Sequence, residues 1–129
     1  MTSTGGHVPD LLRLGTLEAQ VMDVLWDHGP LTIREVIAQL PSEPAYTTIA
    51  TVLSNLDRKQ LVRITRQRRS KRYSPGMTRH EHSAALMEQV LASSRDRAAS
   101  ILQFVESMPE DDLALLRGYL SRHGEEGEG

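Results

Sequence analysis

The chain has 129 residues, a formal net charge of −2 and no cysteine. This length accommodates one domain, or one small domain with an appendage, and the lack of cysteine excludes disulfides, thiolate metal sites and cysteine nucleophiles. No apolar run approaches the ~20 residues needed to span a bilayer, and the N-terminus lacks the pattern of a signal peptide, so we expect a cytoplasmic protein without membrane insertion.

Two helices are predicted near the start of the chain, after a flexible segment over residues 1–13. Thr16 is the predicted N-cap of a helix over residues 17–27, in which apolar residues recur at helical spacing. Thr32 and Glu35 have the spacing of a capping box, in which each side chain satisfies a free backbone N–H at the start of a helix. They open a second helix, and the Pro-containing segment PSEP ends it with a short turn.

The stretch over residues 45–61, AYTTIATVLSNLDRKQL, is predicted to be a DNA-recognition helix. Ile49, Val52, Leu53 and Leu56 recur at i, i+3, i+4 and i+7, so one face should be buried. The opposite face carries small, hydrogen-bonding or cationic side chains, which suit base edges and phosphates in the major groove. The predicted DNA-binding residues of this helix are Thr47, Thr48, Thr51, Ser54, Asn55 and Arg58. The alternative interpretation is the solvated back of any amphipathic helix.

A concentrated basic segment follows this helix. Eight of the fifteen basic residues lie between Arg58 and Arg72, and no acidic residue lies among them. Because the run lies between β-like segments over residues 61–65 and 72–74, it predicts a hairpin, or wing, rather than a solvated loop. We expect Leu61, Ile64 and Tyr73 to face the core. The side chains expected to bind phosphate from the tip are Arg66, Arg68, Arg69 and Lys71.

Three amphipathic helices are predicted after a further capping box at Thr78 and Glu81. They end near Ser93, Glu106 and His123, and residues 124–129 should form a disordered tail. Because ~45 residues enclose too little core to bury these apolar stripes, we expect them to pack against a second chain rather than only on the N-terminal body. The predicted dimerisation residues are Leu86, Val90, Ile101, Leu102, Val105, Leu113, Leu116 and Leu120.

The predicted fold is therefore mainly α with a small β-hairpin wing. Residues 14–77 form a winged helix-turn-helix that binds DNA, and residues 78–123 form a helical dimerisation domain. Net charge supports this division, because residues 1–77 carry +3 and residues 78–129 carry −5. The first part suits a polyanion and the second does not. A two-fold dimer of this design would bind a palindromic operator in double-stranded DNA.

Four segments of the sequence together resemble the BlaI/MecI penicillinase-repressor family. They are LGTLEAQVMDVLW, AYTTIATVLSNLDRKQLV, RQRRSKRYSP and ILQFVESMPEDDLALLRGYL, and the most specific motif is YTT-x-x-TVL-x-x-L-x-x-K in the third helix. The resemblance covers about residues 14–120. It implies a homodimeric transcriptional repressor with a winged helix on DNA and a C-terminal dimerisation domain.

The resemblance also implies a switch. In antibiotic-responsive members a membrane sensor protease, activated by β-lactam, leads to cleavage of the repressor before a Phe in an N-F-V-E segment of the dimerisation domain. The matching bond here joins Gln103 to Phe104, with Gln in place of the usual Asn. The alternative interpretation of Phe104 is a core aromatic residue. A related copper-sensing branch uses a cysteine cluster, which this chain lacks.

The alternatives to a repressor released by cleavage are an enzyme, a repressor released by an effector and a winged module that binds only protein. An enzyme is disfavoured, because the sequence has no Gly-rich phosphate loop, nucleophile elbow or HExxH motif, and no cofactor is expected. A repressor released by a metal or another effector is the alternative mechanism, with His80 and His82 as metal candidates. Residues at i and i+2 point ~200° apart on a helix, so we expect these histidines to start a solvated helix. A winged module that binds only protein is disfavoured by the uninterrupted basic run.

Overall fold

The structure is a computed structural model that describes the backbone of residues 13–128 and the side chains of residues 13–124. The order of elements is α1 (Thr16–His28), α2 (Ile33–Gln39), α3 (Tyr46–Arg58), β1 (Val62–Gln67), β2 (Ser70–Pro75), α4 (Arg79–Ala92), α5 (Arg97–Glu106) and α6 (Glu110–Glu128). The predicted fold class, mainly helical with one hairpin, is confirmed. The flexible segment predicted over residues 1–13 lies outside the described residues, except for Arg13.

The core of the first compact unit lies between α1, α2, α3 and the base of the hairpin. Apolar residues at helical spacing line it because each helix turns the same stripe inward. Tyr73 is the one aromatic side chain among its buried members, so aliphatic packing dominates. The buried residues are Val21, Met22, Val24, Leu25, Val36, Leu40, Ile49, Leu53, Leu56, Leu61, Val62 and Tyr73.

Local capping determines where the first two helices begin. Thr32 and Glu35 form the predicted capping box, with the Glu35 N–H donating to Thr32 Oγ1 over 3.2 Å and the Thr32 N–H donating to Glu35 Oε1 over 2.9 Å. The prediction that Thr16 caps α1 is wrong by one residue. Gly15 is the N-cap, and its N–H donates to the carboxylate of Glu18 over 3.0 Å, because that carboxylate reaches back across the first turn.

The hairpin is longer than predicted and is tied to the segment before α2. Its strands pair in antiparallel register, with Ile64 opposite Tyr73, and a two-residue turn at Arg68 and Arg69. Tyr73 also exchanges two backbone hydrogen bonds with Leu31, of 3.0 and 2.8 Å. The strands therefore extend into the basic run, because their pairing and the Leu31 bridge stabilise residues whose own sequence does not alternate clearly.

Ile64 does not face the core as predicted, whereas Leu61 and Tyr73 do. Ile64 is 36% exposed, against 5% for Tyr73 directly opposite it. Both side chains lie on the same face of the hairpin and line a surface groove, but Tyr73 is covered more because its strand is also bridged to Leu31, whereas Ile64 lies on the outer strand. At the exit of the hairpin, a Cβ on Gly76 would lie 3.1 Å from the carbonyl oxygen of Gln60, so the close approach of these two segments favours glycine.

The start of α4 packs on α1. The predicted capping box is present, with the Glu81 N–H donating to Thr78 Oγ1 over 3.0 Å. The Arg79 guanidinium pairs with Asp23 and Asp27 of α1 at 3.3 and 3.2 Å. Through such contacts the first compact unit extends to Gln89, so the two units divide within α4 rather than at the predicted boundary before Thr78.

The second compact unit begins at Val90 and contains α5 and α6. Asp96 caps α5 by accepting a hydrogen bond from the Ala99 N–H over 3.0 Å. Helix α6 continues to Glu128, beyond the predicted end at His123, so residues 124–128 are helical where a disordered tail was expected. None of the described side chains over residues 90–124 is buried. Within the part of the chain that the structure describes, no helix is long and apolar enough to cross a membrane.

Candidate nucleic-acid interface

The predicted recognition surface is the exposed face of α3. Its candidate residues Thr47, Thr48, Thr51, Ser54 and Arg58 are exposed, and Asn55 is half-buried. This orientation follows from the helix itself, because Ile49, Leu53 and Leu56 are fully buried on the opposite side. The exposed face therefore presents mainly hydroxyl groups, with one cation at its C-terminal end.

The structure separates the eight basic residues of the wing region into two groups. Lys59 Nζ lies 3.0 Å from Glu18 Oε1, and Arg72 Nη1 lies 3.1 Å from Glu35 Oε1. Arg63 lines a separate depression together with Trp26 and other residues. Lys59 and Arg72 therefore form ion pairs within the fold, and Arg63 lies on a different part of the surface. The remaining five are exposed and are the cations predicted as DNA ligands: Arg58, Arg66, Arg68, Arg69 and Lys71.

The two ion pairs hold their carboxylates in the charged form. Burial raises the pKa of the Glu18 carboxyl, but the hydrogen bond from the Gly15 N–H and the interactions with Lys59 outweigh it, so its pKa lies below the ordinary 4.5. The backbone hydrogen bond from Thr32, together with Arg72, likewise lowers the pKa of Glu35. Both carboxylates are therefore ionised at neutral pH and keep Lys59 and Arg72 paired within the protein.

An open groove lies between α3, the wing and the start of α2, and we call it the wing groove. Tyr46 and Ser54 line its α3 side, and Arg69 and Lys71 line its wing side. Side chains from the recognition helix and from the wing tip thus border the same concave surface. Of the ten predicted DNA-binding residues, three line this groove, Ser54, Arg69 and Lys71, and the other seven lie outside it.

Nine of the twelve described residues that line the wing groove were not predicted as DNA ligands, among them Arg34, Tyr46 and Asp57. Arg34 comes from the first turn of α2, and Tyr46 and Asp57 come from the two ends of α3. Tyr46 and Asp57 lie on the side of α3 that turns toward the wing, which helical spacing from Ala50 could have indicated once the wing was placed. No spacing within the sequence indicates Arg34, because Tyr46, the residue that it contacts, lies in another helix.

The turn at the wing tip has an unusual backbone. Arg68 has φ +56°, in the left-handed region that non-glycine residues adopt at a cost. A glycine or asparagine is the common residue at such a position in a two-residue hairpin. The turn instead presents two adjacent guanidinium groups, and strain of this kind is often retained where it serves binding.

The two candidate metal-binding histidines, His80 and His82, lie in different environments on α4. His82 is buried, with its ring centroid 5.7 Å from that of Trp26, whereas His80 is exposed. The prediction of a solvated helix start therefore holds for His80 and is wrong for His82, because the two-residue spacing turns His82 toward Trp26 of α1. Within the described residues, no three His, Cys, Asp or Glu side chains are grouped in a way that could hold a metal ion.

The predicted dimerisation residues lie on α4, α5 and α6. Half of them are exposed and half are half-buried. Phe104, after the candidate cleavage bond, is 58% exposed and lies within α5, and Gln103 is exposed beside it. The exposed members are Val90, Ile101, Leu102 and Leu120, and the half-buried members are Leu86, Val105, Leu113 and Leu116.

Comparison with known proteins gives relatives along most of the chain. Residues 14–122 match the family described as Penicillinase repressor. The chain is 42% identical over 117 residues to the transcriptional regulator BlaI of Mycobacterium tuberculosis strain CDC 1551 / Oshkosh, covering 86% of this chain and 85% of that protein. The regulator of the same name from strain ATCC 25618 / H37Rv gives the same values. The solution structure of the DNA binding domain of the repressor BlaI is 27% identical, with a TM-score of 0.49, over 56% of this chain and 90% of that one.

Proposed function

The chain belongs to the penicillinase repressor family, and from this premise we propose that it is a homodimeric repressor that binds a palindromic operator in double-stranded DNA. The relatives named above are transcriptional regulators and not enzymes.

The observation that carries the proposal is the wing groove. Ser54 of α3 and Arg69 and Lys71 of the wing border one surface, so a duplex that meets the recognition helix also meets the wing. Thr47, Thr51 and Asn55 are suited to donate and accept hydrogen bonds at base edges. Arg66, Arg68, Arg69 and Lys71 are suited to bind phosphate and supply affinity without sequence choice.

Asp57 refines where the duplex lies. As a carboxylate bordering the wing groove, it would repel a phosphate placed next to it. The backbone should therefore approach the wing tip and the N-terminal half of α3, and the C-terminal end of the groove should stay free of phosphate. Arg58, on the neighbouring face of α3, then remains available to a base edge or to the opposite strand.

Dimerisation is proposed from the second compact unit. Its described side chains include no buried residue, while Leu102, Phe104, Leu115, Tyr119 and Leu120 are each at least half exposed. A unit without a core of its own leaves that apolar surface in water unless a partner covers it. A second copy of the same helices is the proposed partner, because a two-fold dimer supplies the two winged helices that a palindrome needs.

The experiment is selection of genomic fragments by the purified protein, followed by footprinting at two salt concentrations and sedimentation of the free protein. We expect one short dyad-symmetric footprint that weakens strongly with salt, and a dimer in solution. The variant Arg68→Glu/Arg69→Glu should lose binding. The charge-matched control Arg63→Glu/Arg95→Glu, on residues outside the wing groove, should retain most of it. A monomer, or diffuse binding without a dyad, would contradict the dimeric repressor.

We further propose that cleavage of the Gln103–Phe104 bond releases the repressor from DNA. The Gln103–Phe104 bond lies inside α5, so a protease must first unwind part of that helix, and the cut would divide the surface proposed for dimerisation. Immunoblotting of cells treated with a β-lactam should then show a fragment ending at Gln103, which the variant Phe104→Pro should not give. An intact repressor whose operator becomes occupied less would indicate release by an effector instead.

A further inference from the structure

Arg34 and Tyr46 form a contact that the predicted site did not contain. The guanidinium carbon of Arg34, on α2, lies 5.4 Å from the centroid of the Tyr46 ring, on α3. Arg34 is exposed and Tyr46 is 48% exposed, and both border the wing groove. The contact is therefore a cation held on an aromatic face at the open surface of the candidate DNA interface.

Within the described part of the protein, no ion pair neutralises the charge of Arg34. Among the described residues, Arg34 contacts the ring of Tyr46 and takes part in none of the ion pairs. Its neighbour Glu35 pairs with Arg72 instead. The one carboxylate that borders the wing groove, Asp57, is eleven residues from Tyr46 along α3, which is about 16 Å at the rise of an α-helix.

We propose that Arg34, positioned by the ring of Tyr46, binds a phosphate of the DNA backbone on the α2 side of the wing groove. This inference rests on the proposed function. A guanidinium over an aromatic face keeps its N–H groups as donors, and their planar fork fits two phosphate oxygens. Because the contact with the ring restricts the side chain, binding a phosphate should cost less conformational entropy than ordering a free arginine.

A phosphate is the better ligand for Arg34 than a base edge. The recognition helix α3 is the element whose exposed face enters the major groove, whereas the preceding helix of a helix-turn-helix crosses the backbone. Arg34 belongs to that preceding helix, α2. The wing groove would then be bounded by cations from two sides, with Arg69 and Lys71 on the wing and Arg34 on α2.

The test measures the affinity of the full-length protein for its selected operator and for a scrambled duplex over a series of salt concentrations. Arg34→Ala should weaken binding to both duplexes by about the same factor, roughly tenfold at low salt, and lower the slope of log K against log salt by about one. Arg63→Ala makes the same charge change outside the wing groove and should leave the slope near that of the wild type. Arg34→Lys should keep the slope but not the full affinity, because an ammonium group lacks the planar fork.

Variants of Tyr46 separate positioning from direct contact. Tyr46→Phe keeps the ring and should bind as the wild type does, while Tyr46→Leu should weaken binding several-fold and retain the salt slope. The double variant Arg34→Ala/Tyr46→Leu should bind no more weakly than Arg34→Ala alone, since the platform acts through the arginine. Urea unfolding of each variant confirms that the fold is intact.

The outcomes distinguish this inference from the proposed function. If Arg34→Ala behaves as Arg63→Ala does, or weakens only the operator complex with an unchanged salt slope, Arg34 does not bind phosphate. If the wild type binds neither duplex, the proposed function itself is wrong. If the wild type binds and Arg68→Glu/Arg69→Glu does not, while Arg34→Ala has no effect, only the inference about Arg34 is overturned.

Discussion

The indole Nε1–H of Trp26, on α1, donates a hydrogen bond of 2.9 Å to the backbone carbonyl of Met77, 51 residues further along the chain. Met77 lies between the end of the hairpin and the start of α4. The same ring lies 5.0 Å from the guanidinium carbon of Arg79. Helix α1 therefore holds the segment that follows the wing, and both contacts are made by Trp26, the sole tryptophan of the protein.

Replacing Trp26 by Phe should lower the free energy of unfolding by about 1–2 kcal/mol, because the Met77 carbonyl loses its donor in a half-buried environment. The aromatic contact with Arg79 is retained in this variant. Urea unfolding followed by circular dichroism measures the change, with Tyr119→Phe, at an exposed position of α6, as the control. Equal stability of Trp26→Phe and the wild type would mean that water replaces the indole at no cost.

The ion pair between Glu18 and Lys59 should make stability depend on pH in the acid range. The pKa of Glu18 is lower in the folded protein than in the unfolded chain, so its contribution is fully present above the ordinary value of 4.5 and is lost as pH falls through the lower, folded value. Glu18→Gln, which can still accept the capping hydrogen bond, should be less stable than the wild type near neutral pH by roughly 1 kcal/mol.

As pH falls through the folded pKa of Glu18, which lies below the ordinary 4.5, the difference between the Glu18→Gln variant and the wild type should shrink toward zero, because the wild-type carboxyl becomes protonated as well. Urea midpoints measured from pH 3 to pH 7 give the comparison. The exposed Glu43, replaced by Gln, serves as the matched control and should show no such convergence. A constant difference at all these pH values would exclude the ion pair as its cause.

Glycine substitutions at the wing tip distinguish the effect of charge on DNA binding from the effect of backbone strain on stability. Arg68→Gly should leave the free energy of unfolding unchanged or raise it by about 0.5–1 kcal/mol, because glycine adopts φ +56° without a steric penalty. Arg69→Gly, at the other position of the turn, has no such strain to relieve and should be neutral or destabilising. Both variants should weaken DNA binding by similar factors. Loss of stability in Arg68→Gly would show that the left-handed turn is not strained.

Residues of α3 and of the wing should differ in what they contribute to binding. Thr51→Val removes an exposed hydroxyl at nearly constant shape and should reduce affinity for the operator by about tenfold while sparing a scrambled duplex. Arg69→Ala should reduce affinity for both duplexes and lower the salt slope by about one. Thr65→Val, on the exposed strand β1, is the control for loss of a hydroxyl. Equal effects of Thr51→Val on both duplexes would remove Thr51 from the base contacts.

The element order and most of the core could be predicted because they depend on near neighbours. The capping boxes at Thr32 and Thr78 join residues three apart, and the buried stripe of α3 joins residues three and four apart. The strands of the wing were less predictable. Their length depends on cross-strand pairing and on the bridge between Leu31 and Tyr73, and Ile64 lies on the outer strand, which has no such bridge.

The sequence by itself determined that this chain has a hydroxyl-bearing recognition helix followed by a basic hairpin, because helical periodicity and local charge are properties of short stretches. Only the tertiary structure decided which cations remain available to DNA. Lys59 is neutralised by a residue 41 positions away and Arg72 by one 37 positions away, while Arg34 is brought to the ring of Tyr46 from another helix. Such partners depend on how α1, α2 and the wing pack around α3, and no spacing within one segment can indicate them.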